Sequence, residues 1–278
     1  MAYFVLDVIR RLPEDIVLVT GASSGFGKLT ASRLAERGYV VFGTSRKPST
    51  GSSERFEMVQ LDITSDDSVR ECVSTVIQKA GRIDVLVNNA GQAMTGGLEE
   101  TTVEEAKAHF DSNFFGPARM VNAVLPGMRE RRSGRIINLG SLAATFPVPF
   151  EGYYGAVKAA LLAYTEVLRQ EVKSLGIKVS VVEPGFFRTN LLNARITAAN
   201  HIADYDETRK RAQAALGDSF VKGADPKEVA ETILKIIDTP SPSLRYAVGK
   251  EKSYLLLKRI LPLSVMESLT RKHWRLDG

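Results

Sequence analysis

Short runs of branched apolar residues alternate along this chain with longer segments in which apolar residues recur at helical spacing. Such runs predict strands that are buried on both faces, as the strands of a parallel sheet are. Six strands are predicted, at residues 16–19, 40–43, 58–61, 85–87, 136–139 and 179–182. Because helical patterns separate them, the order predicts right-handed βαβ units in an α/β fold with a doubly wound parallel sheet.

Three of the predicted helices have recognisable features. One opens at residues 64–67 with the sequence Thr-Ser-Asp-Asp, where a capping hydroxyl and early carboxylates suit a helix start. Another begins near Thr102 and carries Phe110 and Asn113, and a third carries Tyr154 and Lys158. The polar residues lie at the carboxyl ends of strands or on the helices just beyond, where open α/β sheets bind ligands.

Length and composition are those of an ordinary globular protein. The 278 residues suffice for one α/β domain, and the net charge of +5 suits an anionic cofactor or a membrane surface. The basic residues form no extended stripe, so no nucleic-acid partner is expected. Cys72 is the one cysteine, and the N-terminal segment lacks the features of a signal peptide, so a cytoplasmic location is expected. No membrane span and no metal site are predicted.

A glycine-rich turn follows the first predicted strand. Residues 20–27 read Thr-Gly-Ala-Ser-Ser-Gly-Phe-Gly, and a helical pattern comes next. This arrangement presents backbone N–H groups and a helix N-terminus to phosphate. The spacing is GxxxGxG rather than GxGxxG, but the glycines still allow close approach of a pyrophosphate. The turn predicts a nucleotide site, with the candidate residues Gly21, Ser23, Ser24, Gly25, Phe26 and Gly27.

The end of the second predicted strand indicates which nucleotide would bind. Proteins that bind NAD place an acidic residue about 20 positions after the glycines, where it accepts from the ribose 2′-OH. This chain has Ser45, Arg46 and Lys47 there instead. Arg46 and Lys47 can pair with a 2′-phosphate, so NADP(H) is predicted over NAD(H). The alternative is that both residues simply begin a solvated loop.

Tyr154 and Lys158 lie four residues apart and therefore on one face of their helix. A cation beside a phenol favours the phenolate, so Lys158 is expected to lower the pKa of Tyr154. Such a phenol can donate a proton to a carbonyl oxygen or accept one from an alcohol. Tyr153 lacks this lysine and is expected to pack or to border the substrate. His109 is expected to be a packed or exposed helix residue.

Taken together and in this order, the motifs resemble those of the classical short-chain dehydrogenase/reductases over residues 16–189, and in fold to about residue 248. The block at 82–91 is most similar to the 17β-hydroxysteroid-dehydrogenase-like and retinol-dehydrogenase-like branch. The resemblance implies a single Rossmann-type domain. Its core would span about 14–248, its helical substrate-covering insertion about 190–225 and its helical C-terminal extension about 250–278.

The resemblance also implies a role for each site residue. Tyr154 would be the general acid in carbonyl reduction, and Lys158 would lower its pKa and bind the nicotinamide ribose. Ser141 would stabilise charge on the substrate oxygen, and Asn113 would hold a water that links Lys158 to solvent. The other implied cofactor contacts are Asp62 and Ile63 at the adenine, Asn89, Ala90 and Gly91 at the adenosine ribose, and Pro184, Gly185, Phe187 and Thr189 at the nicotinamide.

The substrate is expected to be hydrophobic, because the segments that would surround it are apolar. The expected anchors of the covering insertion are Leu191, Leu192, Ile196, Ile202, Tyr205 and Phe220. Phe146, Val148, Phe150 and Met94 are expected to face the same cleft, although some of them could be core. Such a cleft favours a ketone, aldehyde, steroid, retinoid or lipid-like alcohol over a sugar phosphate.

Beyond residue 248, apolar residues alternate with lysines and arginines. This tail could lie on a membrane surface, cover the substrate or pack against a partner subunit. The resemblance implies a homo-oligomer, either a dimer or a tetramer.

The leading hypothesis is an NADP(H)-dependent alcohol dehydrogenase or carbonyl reductase. A catalytically silent NADP(H)-sensing regulator on the same fold is the main alternative, and intact Ser141, Tyr154 and Lys158 argue against it. A sugar-nucleotide epimerase is the third reading, but it usually has a different glycine pattern.

Overall fold

The structure is a computed structural model that describes residues 15–48, 55–189 and 195–277. Its strands are β1 (Ile16–Val19), β2 (Val40–Ser45), β3 (Glu57–Gln60), β4 (Val85–Asn88), β5 (Met94–Thr95), β6 (Gly134–Leu139), β7 (Ile177–Pro184), β8 (Ile196–Thr197) and β9 (Arg245–Val248). Over these ranges, seven parallel strands form one sheet in the order β3-β2-β1-β4-β6-β7-β9, and β5 pairs separately with β8. The strand order reverses between β1 and β4, so their carboxyl ends flank the crevice where doubly wound sheets bind ligands.

Helices cover both faces of the sheet. They are α1 (Gly25–Glu36), α2 (Asp66–Ala80), α3 (Val103–Phe110), α4 (Gly116–Arg131), α5 (Gly152–Val172), α6 (Asp206–Val221), α7 (Lys227–Asp238), α8 (Tyr254–Ile260) and α9 (Leu263–His273). α1 and α7 pack with Val17 and Val19 on one face, whereas α2, α4 and α5 pack with Ile16 and Leu18 on the other. Successive strand residues therefore enter opposite cores, which explains why the strands read as continuous apolar runs.

The doubly wound fold and the six predicted strands are confirmed, with small shifts at the strand ends. The seventh strand, β9, was not predicted, because it lies at the edge of the sheet and only Val248 in it is buried. Arg245 is held by a bidentate ion pair in which its Nε and Nη2 donate to the buried Glu183 at 2.7 and 2.9 Å. β5 and β8 are two residues each, too short for a periodic pattern.

The helix starts also agree with the sequence, but one predicted helix is interrupted. Thr102 caps α3 with a reciprocal pair of hydrogen bonds to Glu105, and Ser65 rather than Thr64 caps α2. The helix capped by Thr102, α3, ends at Phe110, and a π-helical turn at Asp111–Phe115 follows before α4 begins. π-Turns often mark functional positions, and this one contains Asn113.

The C-terminal tail packs on the segment that follows β8. Trp274, after α9, is 5% exposed and forms a small core with Leu216 and Phe220 of α6. Phe186 contacts both Phe220 and Trp274 with ring centroids 5.2 and 6.0 Å apart. The tail thus closes over the carboxyl end of β7. In the parts of the chain described, the helices are all too short or too polar to span a bilayer.

Candidate active site

The glycine-rich turn after β1 has little room for side chains. Gly21 and Gly25 adopt φ values of +68° and +55°, which favour glycine. A Cβ on Gly27 would lie 2.3 Å from Asn89 Nδ2 and 2.3 Å from the carbonyl oxygen of Gly21. The helix that begins at Gly25 therefore starts directly against the turn, with the exposed Ser23 and Ser24 beside its N-terminus.

Hydrogen bonds join this turn to the loop after β4. The hydroxyl of Thr20 accepts from the backbone N–H groups of Asn89 and Ala90 at 3.0 and 2.9 Å. In return, Asn89 Nδ2 donates to the carbonyl oxygens of Thr20 and Gly21 at 2.9 and 3.1 Å. These four hydrogen bonds hold the two loops together, and they place the predicted phosphate and ribose residues side by side.

The adenosine end of the crevice lies beyond β2 and β3. Asp62 accepts from the backbone and the hydroxyl of Thr64, and these bonds lower its pKa, as the nearby Arg46 also does. Ile63 is buried against Gly116, which has no room for a Cβ there. Ser45 is half-buried at the end of β2, and Arg46 and Lys47 are exposed beside it. Both cations are therefore accessible to an anion bound at the turn.

Tyr154 and Lys158 meet Ser141 at the carboxyl end of β6. Lys158 is 7% exposed, and its Nζ donates to the carbonyl oxygen of Leu139 at 3.0 Å. The same Nζ lies 5.8 Å from the centroid of the Tyr154 ring. Ser141 hydrogen bonds with the Tyr154 phenol, and its Oγ also accepts from the N–H of Ala143 at 3.1 Å. The predicted phenol, ammonium and hydroxyl thus converge in one place.

The expectation that Lys158 lowers the pKa of Tyr154 is wrong for the chain by itself. Burial raises the pKa of Tyr154 to about 12, although its hydrogen bond with Ser141 opposes the rise. Burial also lowers the pKa of Lys158 to about 8. Desolvation disfavours both charged forms, and the spacing of the two residues along the chain does not reveal it. Tyr154 is therefore protonated at neutral pH, the state that a proton donor requires.

Asn113 lies in the π-turn and faces the same cluster. Its Oδ1 accepts from the N–H of Gln92 at 3.2 Å, and its Nδ2 donates to the carbonyl oxygen of His109 at 3.1 Å. A Cβ on Gly91 would lie 2.5 Å from Asn113 Oδ1 and 3.8 Å from Lys158 Nζ. Gly91 thus allows the loop after β4 to pass between the asparagine and the lysine.

His109 is a packed residue, as expected, but it also belongs to this cluster. The residue is 1% exposed, and its ring centroid lies 6.2 Å from that of Tyr154. Burial, together with Lys158, lowers its pKa to about 4, so the imidazole is neutral at physiological pH. The spacing of four residues to Asn113 was visible in the sequence, but the proximity to Tyr154 depends on α3 packing against α5.

The loop after β7 completes the crevice. Pro184 ends the strand, Gly185 donates its N–H to the carbonyl oxygen of Val248 at 2.9 Å, and Thr189 is half-buried further along. Phe187 is 1% exposed and packs edge-on against Phe26 of the glycine-rich turn, with ring centroids 5.4 Å apart. This aromatic contact fixes the predicted nicotinamide loop against the predicted phosphate loop.

Three residues near this crevice were not singled out from the sequence. Glu251, at the start of the tail, accepts from the N–H of Phe186 at 3.2 Å. Glu151 precedes α5 and forms an ion pair with Arg195, with both side chains buried. In the sequence, only the position of Glu151 just before the helix of Tyr154 and Lys158 could have indicated a role near the site. Arg195 lies 44 positions further along the chain, and nothing in the sequence indicates that the two residues pair.

The apolar residues expected around the substrate make separate contacts with the covering segment and the tail. Val148 packs with the Phe220 and Trp274 core, Phe146 contacts Tyr254, and Phe150 contacts Tyr205. Met94 is 3% exposed in β5, and Ile196 is 37% exposed, so Ile196 is not the anchor expected. Leu191 and Leu192 lie outside the described residues. Tyr153 lines a hollow with Val103 and Phe115, whereas Tyr154 hydrogen bonds with Ser141.

The crevice suits a dinucleotide cofactor. The turn leaves no room for a side chain at Gly27, and cations at the end of β2 are exposed for an anionic group. Tyr154 and Lys158 lie across the crevice from that turn. The residues present therefore fit a cofactor with phosphates at one end and a reactive group at the other.

Comparisons with known proteins agree with this geometry. The family model for short chain dehydrogenases matches residues 15–200. The 3-ketodihydrosphingosine reductase of Bacteroides thetaiotaomicron is 40% identical over 89% of this chain and 92% of that protein. Human retinol dehydrogenase 8 is 34% identical over 82% of this chain and 79% of that protein.

Solved structures give the same match. A short-chain dehydrogenase from Streptomyces avermitilis superposes with a TM-score of 0.81 and 36% identity, covering 93% of this chain and 96% of that one. The closed form of a serine dehydrogenase complexed with NADP+ has a TM-score of 0.72 and 28% identity, covering 84% of this chain and 94% of that one.

Proposed function

The chain belongs to the short-chain dehydrogenase family, and from this premise we propose that it is an NADP(H)-dependent alcohol dehydrogenase or carbonyl reductase. It would transfer hydride between nicotinamide and a hydrophobic ketone, aldehyde or secondary alcohol. The observation that carries this proposal is the convergence of Tyr154, Ser141 and Lys158 across the crevice from the glycine-rich turn. A nucleotide sensor on the same fold needs the turn but not the three side chains.

Each residue of the cluster has a distinct part in the proposed reaction. NADPH, when bound, supplies the hydride that reaches the carbonyl carbon. Tyr154 donates its proton to the carbonyl oxygen, and Ser141 donates a hydrogen bond that stabilises the charge developing there. Lys158 places a positive charge beside Tyr154, at the end of the crevice where the proton is donated. Asn113 positions a water molecule through which Tyr154 is reprotonated. The product is the alcohol, and the same groups serve the reverse direction.

NADP(H) is proposed over NAD(H) because Arg46 and Lys47 are exposed at the end of β2, where an NAD-binding protein carries an acid. The NADP+ complex of the serine dehydrogenase supports the same choice. Arg46→Asp should lower the ratio of kcat/KM with NADPH to kcat/KM with NADH by roughly 10- to 100-fold, since a carboxylate would face the 2′-phosphate.

The control for this variant is Arg37→Asp. Arg37 is an exposed arginine that caps the other end of α1. It lies about 18 Å from the turn along the helix axis. Steady-state kinetics with both cofactors should show the altered ratio in the Arg46 variant alone. An unchanged ratio would show that Arg46 does not contact the 2′-phosphate of the cofactor.

The proposed substrate is lipid-like. The lining of Phe146, Val148 and Phe150 supports a long apolar group, and so does the similarity to a 3-ketodihydrosphingosine reductase. The direct test is NADPH consumption with a panel of steroids, retinal, long-chain ketones and simple quinones. A catalytically silent sensor would bind NADPH and oxidise it with none of them. A sugar-nucleotide epimerase would act on a sugar nucleotide without net NADPH consumption.

We also propose that the protein forms a homo-oligomer, either a dimer or a tetramer, through the outer faces of α3, the π-turn and α5. Val103, Phe115 and Val167 are 58, 51 and 57% exposed on this side, next to the hollow lined by Tyr153. A second copy of the chain would cover these side chains. The molar mass in solution is the measurement that decides it.

The exposed face of the tail supports peripheral contact with an anionic membrane. Leu256, Ile260 and Leu263 are 63, 66 and 81% exposed at the junction of α8 and α9. Residues 250–277 contain seven lysines and arginines and three acidic residues, which gives +4 of the chain's net charge of +5. An apolar face with a basic border is the pattern of helices that lie in a membrane interface.

Replacing Leu256, Ile260 and Leu263 by serine should abolish co-sedimentation with phosphatidylserine vesicles, because the apolar contact is lost. Serine at Val40 and Ile77, which are also exposed but lie elsewhere, should leave binding unchanged. Equal sedimentation of both variants and the unaltered protein would contradict membrane contact through this face.

A further inference from the structure

The tail that follows β9 is attached to two of the loops that form the crevice. Lys258 of α8 donates a hydrogen bond to the carbonyl oxygen of Thr145, in the segment after β6. Glu251, at the start of the tail, accepts from the N–H of Phe186 at 3.2 Å, in the loop after β7. Side chains of the tail therefore bind the backbone of both segments.

The carboxylate of Glu251 occupies space that two glycines leave open. A Cβ on Gly185 would lie 2.2 Å from Glu251 Oε2, and the three atoms nearest to that Cβ would all belong to Glu251. A Cβ on Gly249, where φ is +104°, would lie 3.1 Å from the same oxygen. Oε2 is also the atom that accepts from Phe186. The start of the tail and the loop after β7 thus pack around one carboxylate.

A second contact between the tail and this loop is aromatic. The ring of Phe186 packs against Trp274, which follows α9 and is 5% exposed, with centroids 6.0 Å apart. The next residue, Arg275, forms an ion pair with Asp218 of α6 at 2.6 Å. Both the backbone N–H and the ring of Phe186 are therefore held by residues of the tail.

The residues on either side of Phe186 are those predicted to meet the nicotinamide. Gly185 donates to the carbonyl oxygen of Val248, and Phe187 packs against Phe26 of the glycine-rich turn. Without the tail, the loop would keep these two contacts and lose both contacts of Phe186. A loop that is not already ordered loses conformational entropy when a ligand orders it, which weakens binding.

The adenosine half of the crevice is built from other parts of the chain. It consists of the loops after β1, β2 and β4, and Thr20 and Asn89 join the first and last of these. Arg46 and Asp62 lie near each other beyond β2 and β3. A change at the start of the tail should therefore affect binding of the nicotinamide half of the cofactor and not of its adenosine half.

We propose that Glu251 is a positioning residue for the cofactor, which holds the loop after β7 ready to receive the nicotinamide. The docked tail strengthens nicotinamide binding, and by linkage the bound nicotinamide strengthens docking of the tail by the same factor. The inference rests on the NADP(H)-dependent function proposed above. It adds a residue that lies beyond residues 15–200, the part of the chain that the family model matches.

The first test compares NADPH with 2′,5′-ADP, which has the adenosine and the 2′-phosphate but no nicotinamide. In calorimetric titrations, Glu251→Ala should raise Kd for NADPH roughly 10-fold, because a hydrogen bond to a charged acceptor is lost, and leave Kd for 2′,5′-ADP within about twofold. Glu251→Gln keeps an acceptor for Phe186 and should stay within about threefold for both. Glu267→Ala, which removes an exposed glutamate from α9 of the same tail, should change neither affinity.

The second test uses the reciprocal effect and needs no variant. Trp274 is the only tryptophan in the chain, so its quenching by acrylamide reports how often the tail opens. Saturating NADP+ should lower the quenching constant at least about twofold, whereas saturating 2′,5′-ADP should leave it unchanged. An equal decrease with both nucleotides, or a decrease with neither, would overturn the inference.

The two proposals fail in different ways. If the unaltered protein binds neither NADPH nor 2′,5′-ADP, the proposed cofactor is wrong and this inference is wrong with it. If it binds both, and Glu251→Ala weakens neither or weakens both equally, the proposed function stands and the positioning role is wrong. If Glu251→Ala does not fold, the quenching of Trp274 in the unaltered protein still decides the question.

Discussion

Replacing Tyr154 by phenylalanine should lower turnover by roughly 10²–10⁴-fold while leaving NADPH affinity nearly unchanged. The substitution removes only the proton donor. The ring keeps its place near His109, at a centroid distance of 6.2 Å, and beside Lys158. Since burial raises the pKa of Tyr154 to about 12, no other form of this side chain is populated at neutral pH.

Tyr153→Phe is the matched control, because it removes the same atom from the neighbouring residue. Tyr153 lines the hollow with Val103 and Phe115, so its variant should turn over substrate normally. Single-turnover kinetics and NADPH fluorescence titration separate the chemical step from cofactor binding. Near-normal turnover in Tyr154→Phe would show that Tyr154 is not the proton donor.

Much of the fold could be predicted because the sheet is parallel and buried on both faces. Its inner strands read as apolar runs, and the alternation with helices leaves few possible topologies. β9 was not predicted because a strand at the edge of a sheet has only one apolar face. Arg245, on the other face of β9, forms an ion pair with Glu183. The break at Asp111–Phe115 escaped because a π-turn has no sequence pattern that distinguishes it from an α-helix.

The positions of the candidate site residues were more predictable than their electrostatics. The carboxyl ends of parallel strands lie at one edge of the sheet, so the placement of Ser141 at that edge and of Asn89 beside Thr20 follows from topology. The pKa of Tyr154 depends on how much water the surrounding helices exclude, and that is set by tertiary packing. The pairing of Glu151 with Arg195 joins two segments whose separation along the chain carries no information about their contact.

Lys158→Met should lower kcat/KM by roughly 10³-fold and yet stabilise the cofactor-free protein at neutral pH. Burial lowers the pKa of Lys158 from 10.5 to about 8, so the folded chain holds this proton less tightly than the unfolded chain does. At pH 7 the buried charge costs on the order of 3 kcal/mol of folding free energy. Losing the hydrogen bond to Leu139 offsets about 1 kcal/mol of the gain.

Lys158→Met could stabilise the protein either by removing a buried charge or because methionine packs better. The pH dependence of the free energy of unfolding distinguishes the two causes. Between pH 8 and 10.5 the unfolded chain binds more protons than the folded chain, so the unaltered protein gains stability from Lys158 as pH rises. The advantage of Lys158→Met in urea unfolding should therefore shrink by about 1 kcal/mol between pH 7 and 9. The exposed Lys173, replaced by methionine, should show no such trend. A constant advantage across this range would mean that Lys158 is not a destabilising buried cation.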